Sequence, residues 1–384
     1  MKRQDVYWVA KLFIVWRASL FLFSYLGIRY FSLQENFLGG GIGSYLANPL
    51  LWSFGNFDGL NYLLIAQNAY NSLLYFYFPL YPFMTNFLSP GTATRELFVT
   101  GLAISHVSFF AALLGLWKLL KLDYETKLVK KIIILIVLFP TSFYFAAFYT
   151  ESIFLALVVW SFYFVRTKKF FLSGITSMFT SATRIVGLAL FPAFMTEYFW
   201  DQRKTKSANL PNRLLNIVLF GFSGLGFLAY LIYLQNKTGD FLAFNKGSEL
   251  FGEYRSQTLL VLPQIFYRYI IKIIPSLTFS YFPVVFTTLL EFAAGTLGTV
   301  AILFGFSSLR KSYWVYMIIG FLMPSFYNGF VSMPRYILVL FPVFIFLALF
   351  MQNLGRKTQI LMYSVSYLSL GIATALFTRG YWIS

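Results

Sequence analysis

The feature that most limits the fold of this 384-residue chain is a series of apolar runs without a charged residue. Several runs approach the roughly 20 residues that an α-helix needs to cross the hydrocarbon layer of a membrane. Soluble domains carry roughly 25% charged residues, whereas this chain carries 11%. The sequence therefore predicts an all-α, polytopic membrane protein. The clearest runs are 97–117, 132–150, 214–236, 312–334, 336–355 and 358–378.

Taken together, the apolar segments predict about eleven membrane-spanning helices, to within two. The fourth to sixth have uncharged cores that are too short to cross roughly 30 Å as straight helices, so broken or re-entrant segments are predicted there. The predicted spans are 8–30, 97–118, 131–149, 151–166, 170–184, 185–200, 214–236, 284–308, 312–332, 336–353 and 358–378.

The distribution of basic residues predicts how the chain lies in the membrane. With these spans, 19 of the 30 lysines and arginines fall on one side and 10 on the other. The denser side is expected to be cytoplasmic, which places the N-terminus inside. Two long loops, 31–96 and 237–283, are then outside, and short interfacial helices are predicted in both. We expect one integral membrane domain, 1–384, in the plasma membrane of a prokaryote or the endoplasmic reticulum of a eukaryote.

The composition argues against several other classes of function. The net charge is +17, but the basic residues form short clusters between apolar runs, as topology requires, which disfavours nucleic-acid binding. The chain has no cysteine and one histidine, His106, inside an apolar run. Thiolate metal sites are therefore excluded, and a packed, hydrogen-bonded histidine is expected. We predict no metal and no cofactor.

The stretch NFDGLNYLLIAQNAY, residues 56–70, places a carboxylate at the start of a short amphipathic helix in the first outer loop. On a helix, Asp58, Asn61 and Tyr62 share one face because they are three and four residues apart. The opposite side is apolar, which predicts a helix lying at the membrane surface. Asp58 is either the N-cap of this helix or a general base.

Further candidate groups are the scarce charges predicted on the outer side. A cation inside an apolar segment is costly and normally has a partner or a function. Arg184, Arg335 and Arg255 are such cations; the first two either snorkel or pair with Glu151, or they bind a phosphate, which guanidinium matches bidentately. The outer acids from which a base could come are Glu35, Asp58, Glu96, Glu151, Asp240, Glu249, Glu253 and Glu291.

Five blocks in the same order resemble the PIG-V-like mannosyltransferases, in the GT-C class of polytopic glycosyltransferases. They are FDGLNYLLIAQNAY followed by YFYFPLYP, FPTSFYFAAFYTESIFLAL, FFLSGITSMFTSATRIVGLALFP, TGDFLAF and MPRYILVLFP. The chain departs from the family at Phe57, where Trp is usual, and at Phe241, where Pro is frequent. Neither position is a proposed reacting group.

The resemblance implies inverting transfer of a hexose, with mannose expected, from a polyprenyl-phosphate sugar to a lipid-linked or cell-envelope acceptor outside. Asp58 would be the general base, and Arg184 and Arg335 would hold the leaving phosphate. No nucleotide-sugar site is expected. The remaining residues predicted to bind substrate are Asn61, Tyr62, Glu151 and Asp240.

Two other functions stay open from the sequence. A lipid or sugar transporter or flippase would show inverted repeats and charges at mid-membrane, and no repeat is visible here. A lipid-linked oligosaccharide ligase would use the arginines without a base. An assay of sugar transfer from polyprenyl-phosphate mannose in detergent would distinguish these two functions from a mannosyltransferase.

Overall fold

A computed structural model describes residues 1–35, 37, 39–71, 74–202, 210–246 and 259–383, without the side chains of 201, 202, 210–212 and 246. Within these ranges every regular element is a helix, so the predicted all-α class is confirmed. The α-helices are α1 Arg3–Tyr30, α2 Ile42–Ala47, α3 Pro49–Trp52, α4 Asp58–Asn68, α5 Leu80–Leu88, α6 Thr94–Leu120, α7 Thr126–Leu138, α8 Glu151–Arg166, α9 Phe170–Ser181, α10 Leu190–Gln202, α11 Leu210–Gly221, α12 Leu225–Thr238, α13 Ala243–Lys246, α14 Leu262–Tyr267, α15 Phe282–Ser308, α16 Lys311–Asn328, α17 Met333–Leu338, α18 Phe341–Gln352 and α19 Arg356–Phe377.

Five helical segments in the described part of the chain are long and apolar enough to cross a membrane. They are α1, α6, α15, α19 and the segment Arg213–Thr238, in which α11 and α12 are joined by a 3-10 turn. Helices of this length and composition are typical of an integral membrane protein. The count of eleven spans stays a prediction, because several of the other apolar segments form shorter helices.

Two predicted spans differ from the structure because proline interrupts them. The span predicted at 131–149 is helical only to Leu138, and a buried 3-10 turn, Ser142–Ala146, follows Pro140. The span predicted at 336–353 is divided between α17 and α18, with Pro342 in the first turn of α18. Proline disfavours helical geometry in the residue before it and lacks a backbone N–H, so a helix ends or restarts there.

Of the three short central spans, the fourth is not broken, since α8 runs continuously over it, but the predicted break is found where the fifth meets the sixth. After α9 the chain leaves the helix at Ala182 and continues through Arg184, whose φ of -157° is extended backbone. A 3-10 turn, Ile185–Ala189, then leads into α10. Arg184 therefore lies at a discontinuity in the helical scaffold, where its side chain can reach a neighbouring helix.

The loop 31–96 contains the short helices α2 to α5, as expected, but the apolar side of α4 does not face lipid. Leu63 and Ile65 of this helix are buried, together with Tyr62 and Ala66. They belong to a largely aromatic cluster that also includes residues from α5, α6 and α12. The apolar side of α4 is thus covered by protein, and its packing against α5, α6 and α12 fixes the position of the helix.

The predicted orientation can be tested because the chain has no cysteine to give a background signal. Gly43 is exposed on α2, and a side chain added there meets no other atom within 4 Å. We expect Gly43→Cys to react with an impermeant maleimide added from outside to intact cells. Lys127→Cys, at an exposed position in the first turn of α7, should react only after permeabilisation. The reverse pattern would overturn the orientation.

Candidate active site

The chain enters α4 through a residue with unusual backbone geometry. Phe57 is the N-cap of α4 and has φ 55°, a left-handed value that is rare for a bulky residue and persists only when the surroundings enforce it. Its ring packs edge-on against Trp382, with centroids 4.9 Å apart. Asp58 is the first helical residue and not the cap, so the N-cap interpretation of Asp58 is wrong.

Both carboxylate oxygens of Asp58 instead accept hydrogen bonds from side chains. The Tyr77 hydroxyl donates to Oδ1 at 3.0 Å, and the Arg335 guanidinium donates to Oδ2 through Nη1. Asn61 donates from Nδ2 to the same Tyr77 hydroxyl at 2.7 Å. The predicted shared face of Asp58 and Asn61 is therefore confirmed, with Tyr77 bridging the two residues. The Asp58 side chain is 19% exposed, so its carboxylate is partly accessible from outside the protein.

Arg335 joins Asp58 to a second carboxylate. Its Nε donates to Oε1 of Glu151, the first residue of α8, and Arg184 donates from Nη1 to that same oxygen at 2.7 Å. Pairing of both arginines with Glu151 was one of the possibilities that the sequence left open, beside snorkelling and phosphate binding, and the structure shows that pairing. We call Asp58, Arg335, Glu151 and Arg184 the charge chain. At full ionisation its two carboxylates balance its two guanidinium groups.

The charge chain keeps unused hydrogen-bonding capacity. Within the described residues, Arg184 uses only Nη1 and Arg335 uses Nε and Nη1, which leaves the Nη2 donors of both arginines without a protein acceptor. Glu151 Oε2 is buried without a partner there, as is the neighbouring Thr150 Oγ1. A guanidinium with open N–H groups binds phosphate oxygens well. The arrangement can therefore hold an anion beside a partly exposed carboxylate.

Aromatic rings enclose the arginine at the centre of the chain. The guanidinium carbon of Arg335 lies 4.7 Å from the ring centroid of Tyr149 and 5.2 Å from that of Tyr144. The Tyr149 hydroxyl donates to the backbone oxygen of Asn56 at 2.7 Å, which ties the approach to Asp58 to this wall. Cation–π contacts of this kind strengthen when water is excluded.

The remaining predicted site residues take different positions. Tyr62 is buried and packs edge-on against Tyr77, with centroids 5.1 Å apart; burial raises the pKa of Tyr62 to about 12, so its hydroxyl stays protonated at neutral pH. Asp240 lies in the turn after α12 and accepts a hydrogen bond from the Leu242 N–H at 2.8 Å. None of the four charge-chain residues has Asp240 as a partner in the described part of the structure. Glu249, Glu253 and Arg255 lie outside the described residues.

Sequence reasoning missed Tyr77. It lies in the YFYFPLYP stretch that follows α4, but one tyrosine among many aromatic residues gives no sign of its partner. Tyr77 could be recognised only once the segment after α4 is known to pass over this helix, because its hydroxyl then meets the polar face formed by Asp58 and Asn61. The number of residues between Tyr77 and Asp58 does not by itself predict that contact.

A second ion network lies at the opposite end of α8. Arg166, the last residue of this helix, donates from Nη1 and Nη2 to Asp123 at 2.6 and 2.8 Å. Glu197 accepts from Arg310 and from the Ser312 hydroxyl. Negative charge at the N-terminus of α8 and positive charge at its C-terminus both match the helix dipole. The second network provides a comparison for the charge chain because its Arg166–Asp123 pair is exposed to almost the same extent as the Arg335–Asp58 pair.

Comparison with known proteins gives a likeness of shape only. No family model matches the chain, and no curated protein matches it in sequence. Solved structures of the Archaeoglobus fulgidus oligosaccharyltransferase AglB resemble it at 12% identity and a TM-score of 0.47. One is tethered to an acceptor peptide, and another is in complex with an inhibitory peptide and a dolichol-phosphate. The first covers 97% of this chain, which spans 55% of that protein.

Proposed function

We propose that the chain is a membrane glycosyltransferase of the GT-C class that resembles the PIG-V-like mannosyltransferases. It would move a hexose, mannose being the expected one, from a polyprenyl-phosphate donor to an acceptor hydroxyl on the outer face, with inversion. The observation that carries this proposal is the charge chain. It joins a partly exposed carboxylate, Asp58, to two guanidinium groups that still have open donors.

In the proposed reaction the acceptor oxygen attacks C1 of the sugar while its proton passes to the Asp58 carboxylate. The bond between C1 and the phosphate oxygen breaks, and its electron pair stays on the phosphate. Arg335 and Arg184 stabilise that developing charge through their Nη2 groups. Because Arg335 already binds Asp58 through Nη1, one planar guanidinium would fix the base relative to the leaving phosphate.

The residues around Asp58 have supporting roles in this proposal. Tyr77 fixes the carboxylate through Oδ1, and lone pairs remain for an acceptor hydroxyl. Asn61 is half-buried, and its amide oxygen makes no hydrogen bond within the described residues, so it can accept one from a sugar hydroxyl. Tyr62 is buried and supports the Tyr77 ring. Asp240 is kept as a candidate for binding the acceptor.

The proposal is tested by giving the purified protein, in lipid nanodiscs, radiolabelled polyprenyl-phosphate mannose and octyl mannoside as a hydroxyl acceptor. We expect a labelled disaccharide glycoside of inverted anomeric configuration, together with released polyprenyl phosphate. GDP-mannose should not serve as donor. Movement of the labelled lipid across a liposome bilayer without cleavage of the sugar–phosphate bond would replace the proposal with a transporter or flippase.

A further inference from the structure

A buried acid outside the charge chain needs a structural explanation. Glu291 lies within α15, one of the five segments that are long and apolar enough to span a membrane, and is 7% exposed. Placing an ionisable side chain inside such a segment is costly, so it normally has a specific task. As an outer acid, Glu291 was a possible base from the sequence, but its contacts in the structure point to another role.

The Glu291 carboxylate holds the residue from which α17 begins. Its Oε1 accepts the backbone N–H of Ser332 at 3.1 Å, and its Oε2 accepts the Tyr269 hydroxyl at 2.9 Å. Ser332 is the N-cap of α17 and has φ 60° and ψ 13°, in the left-handed region. A non-glycine residue keeps this geometry only where its surroundings hold it. The charge-assisted bond from Glu291 is such a constraint.

The backbone transmits this constraint directly to Arg335. The Arg335 N–H donates to the Ser332 carbonyl at 3.1 Å, in the first turn of α17. This helix has six residues, too few to be stable without external contacts. A second contact comes from Thr141, whose hydroxyl donates to the Pro334 carbonyl at 3.0 Å. The start of α17 is thus fixed on both sides by side chains from other elements.

We infer that Glu291 is a positioning residue for Arg335: through Ser332 it sets where the guanidinium lies between Asp58 and Glu151. Tyr269 belongs to a π-helical turn, Arg268–Ile273, of the second outer loop, so the same carboxylate also ties that loop to α17. The kinetic consequence of this inference depends on the proposed function, whereas its structural consequence does not.

The structural consequence is measured by hydrogen–deuterium exchange on the full chain in nanodiscs. Glu291→Ala should speed exchange at least about tenfold in the peptide that covers 330–338. Glu291→Gln keeps an acceptor oxygen for the Ser332 N–H and should stay within about threefold of the unmodified protein. The matched control is Glu197→Ala, another buried acid, which should leave this peptide unchanged. Unchanged exchange in Glu291→Ala would refute the inference.

The kinetic consequence is measured with polyprenyl-phosphate mannose and octyl mannoside. A small displacement of a catalytic group can cost about 100-fold in rate, so Glu291→Ala should lower kcat/KM for the donor by about that factor. The KM for the acceptor should stay the same, and Glu291→Gln should restore most of the rate. Faster exchange with unchanged donor kinetics would also refute the inference.

The inference stays testable if Glu291→Ala does not fold or if the unmodified protein transfers no sugar. If Glu291→Ala does not fold, Glu291→Leu, which fills similar space but has no acceptor for the Ser332 N–H, should still speed exchange in 330–338; unchanged exchange there counts against the inference. If the unmodified protein transfers no sugar, the proposed function fails, and the exchange result alone decides whether Glu291 positions α17.

Discussion

Asp58→Asn is expected to lower kcat/KM for sugar transfer by about 10²–10⁴-fold, the usual contribution of general acid–base catalysis. Asparagine keeps an acceptor for the Tyr77 hydroxyl, and Glu151 remains as an ionic partner of Arg335. The fold should therefore persist. The measurement is the initial rate with polyprenyl-phosphate mannose, alongside the thermal unfolding temperature of each variant.

The second ion network supplies the matched control for Asp58→Asn. Asp123 pairs with Arg166, and the aspartate side chain is 20% exposed, compared with 19% for Asp58. Asp123→Asn should lower the unfolding temperature by a similar amount while leaving the transfer rate nearly unchanged. If both variants lose activity in proportion to stability, Asp58 has a structural role. Full activity in Asp58→Asn would remove it as the base.

Arg335→Lys is expected to lower kcat/KM for the lipid-phosphate donor by about 10²-fold, comparable to the loss of one electrostatic donor in other active sites. Lysine keeps the positive charge but cannot place separate planar donors on Asp58, Glu151 and a phosphate. Arg335→Ala should be at least as impaired, and it removes the cation beside Asp58. Removing one partner of a buried ion pair lowers the free energy of unfolding by about 3–5 kcal/mol. Arg335→Lys keeps a cation at this position and is therefore the clearer test of the guanidinium geometry.

Arg379→Lys is the matched control for the geometry of the guanidinium. Arg379 also donates through Nε and Nη1, but to the Phe31 carbonyl and the Tyr45 hydroxyl. Its replacement should leave donor kinetics intact. Titrating the donor separates effects on KM from effects on kcat for both variants. Normal donor kinetics in a folded Arg335→Lys protein would reduce Arg335 to a structural ion-pair partner.

The sequence could predict features that depend on local spacing. The apolar runs predicted an all-α chain, the short central cores predicted a broken segment among the fourth to sixth spans without its position, and helical periodicity placed Asp58 and Asn61 on one face. The pairing of both arginines with Glu151 was among the alternatives left open, because isolated cations in apolar surroundings normally have a partner or a function.

The sequence could not predict features that depend on packing between distant elements. Asp58 and Arg335 are separated by 277 positions, and no spacing indicates that they form an ion pair. The apolar side of α4 was recognised, but periodicity does not distinguish coverage by lipid from coverage by α5 and α6. The contact of Glu291 with Ser332 depends on the left-handed backbone of Ser332. A serine in the sequence does not predict that backbone conformation.

The length of α8 has a consequence for the surrounding bilayer. Its 16 residues extend about 24 Å, less than the roughly 30 Å of a typical hydrocarbon core. If Arg166 lies at the inner boundary, as the predicted orientation requires, Glu151 sits several ångströms below the outer boundary. Because α8 is buried within the protein and does not itself set the bilayer thickness, a bound lipid headgroup would have to descend below that boundary to reach the arginines. We therefore expect the proposed sugar transfer to be faster in bilayers of shorter acyl chains, which bring the headgroups closer to the arginines.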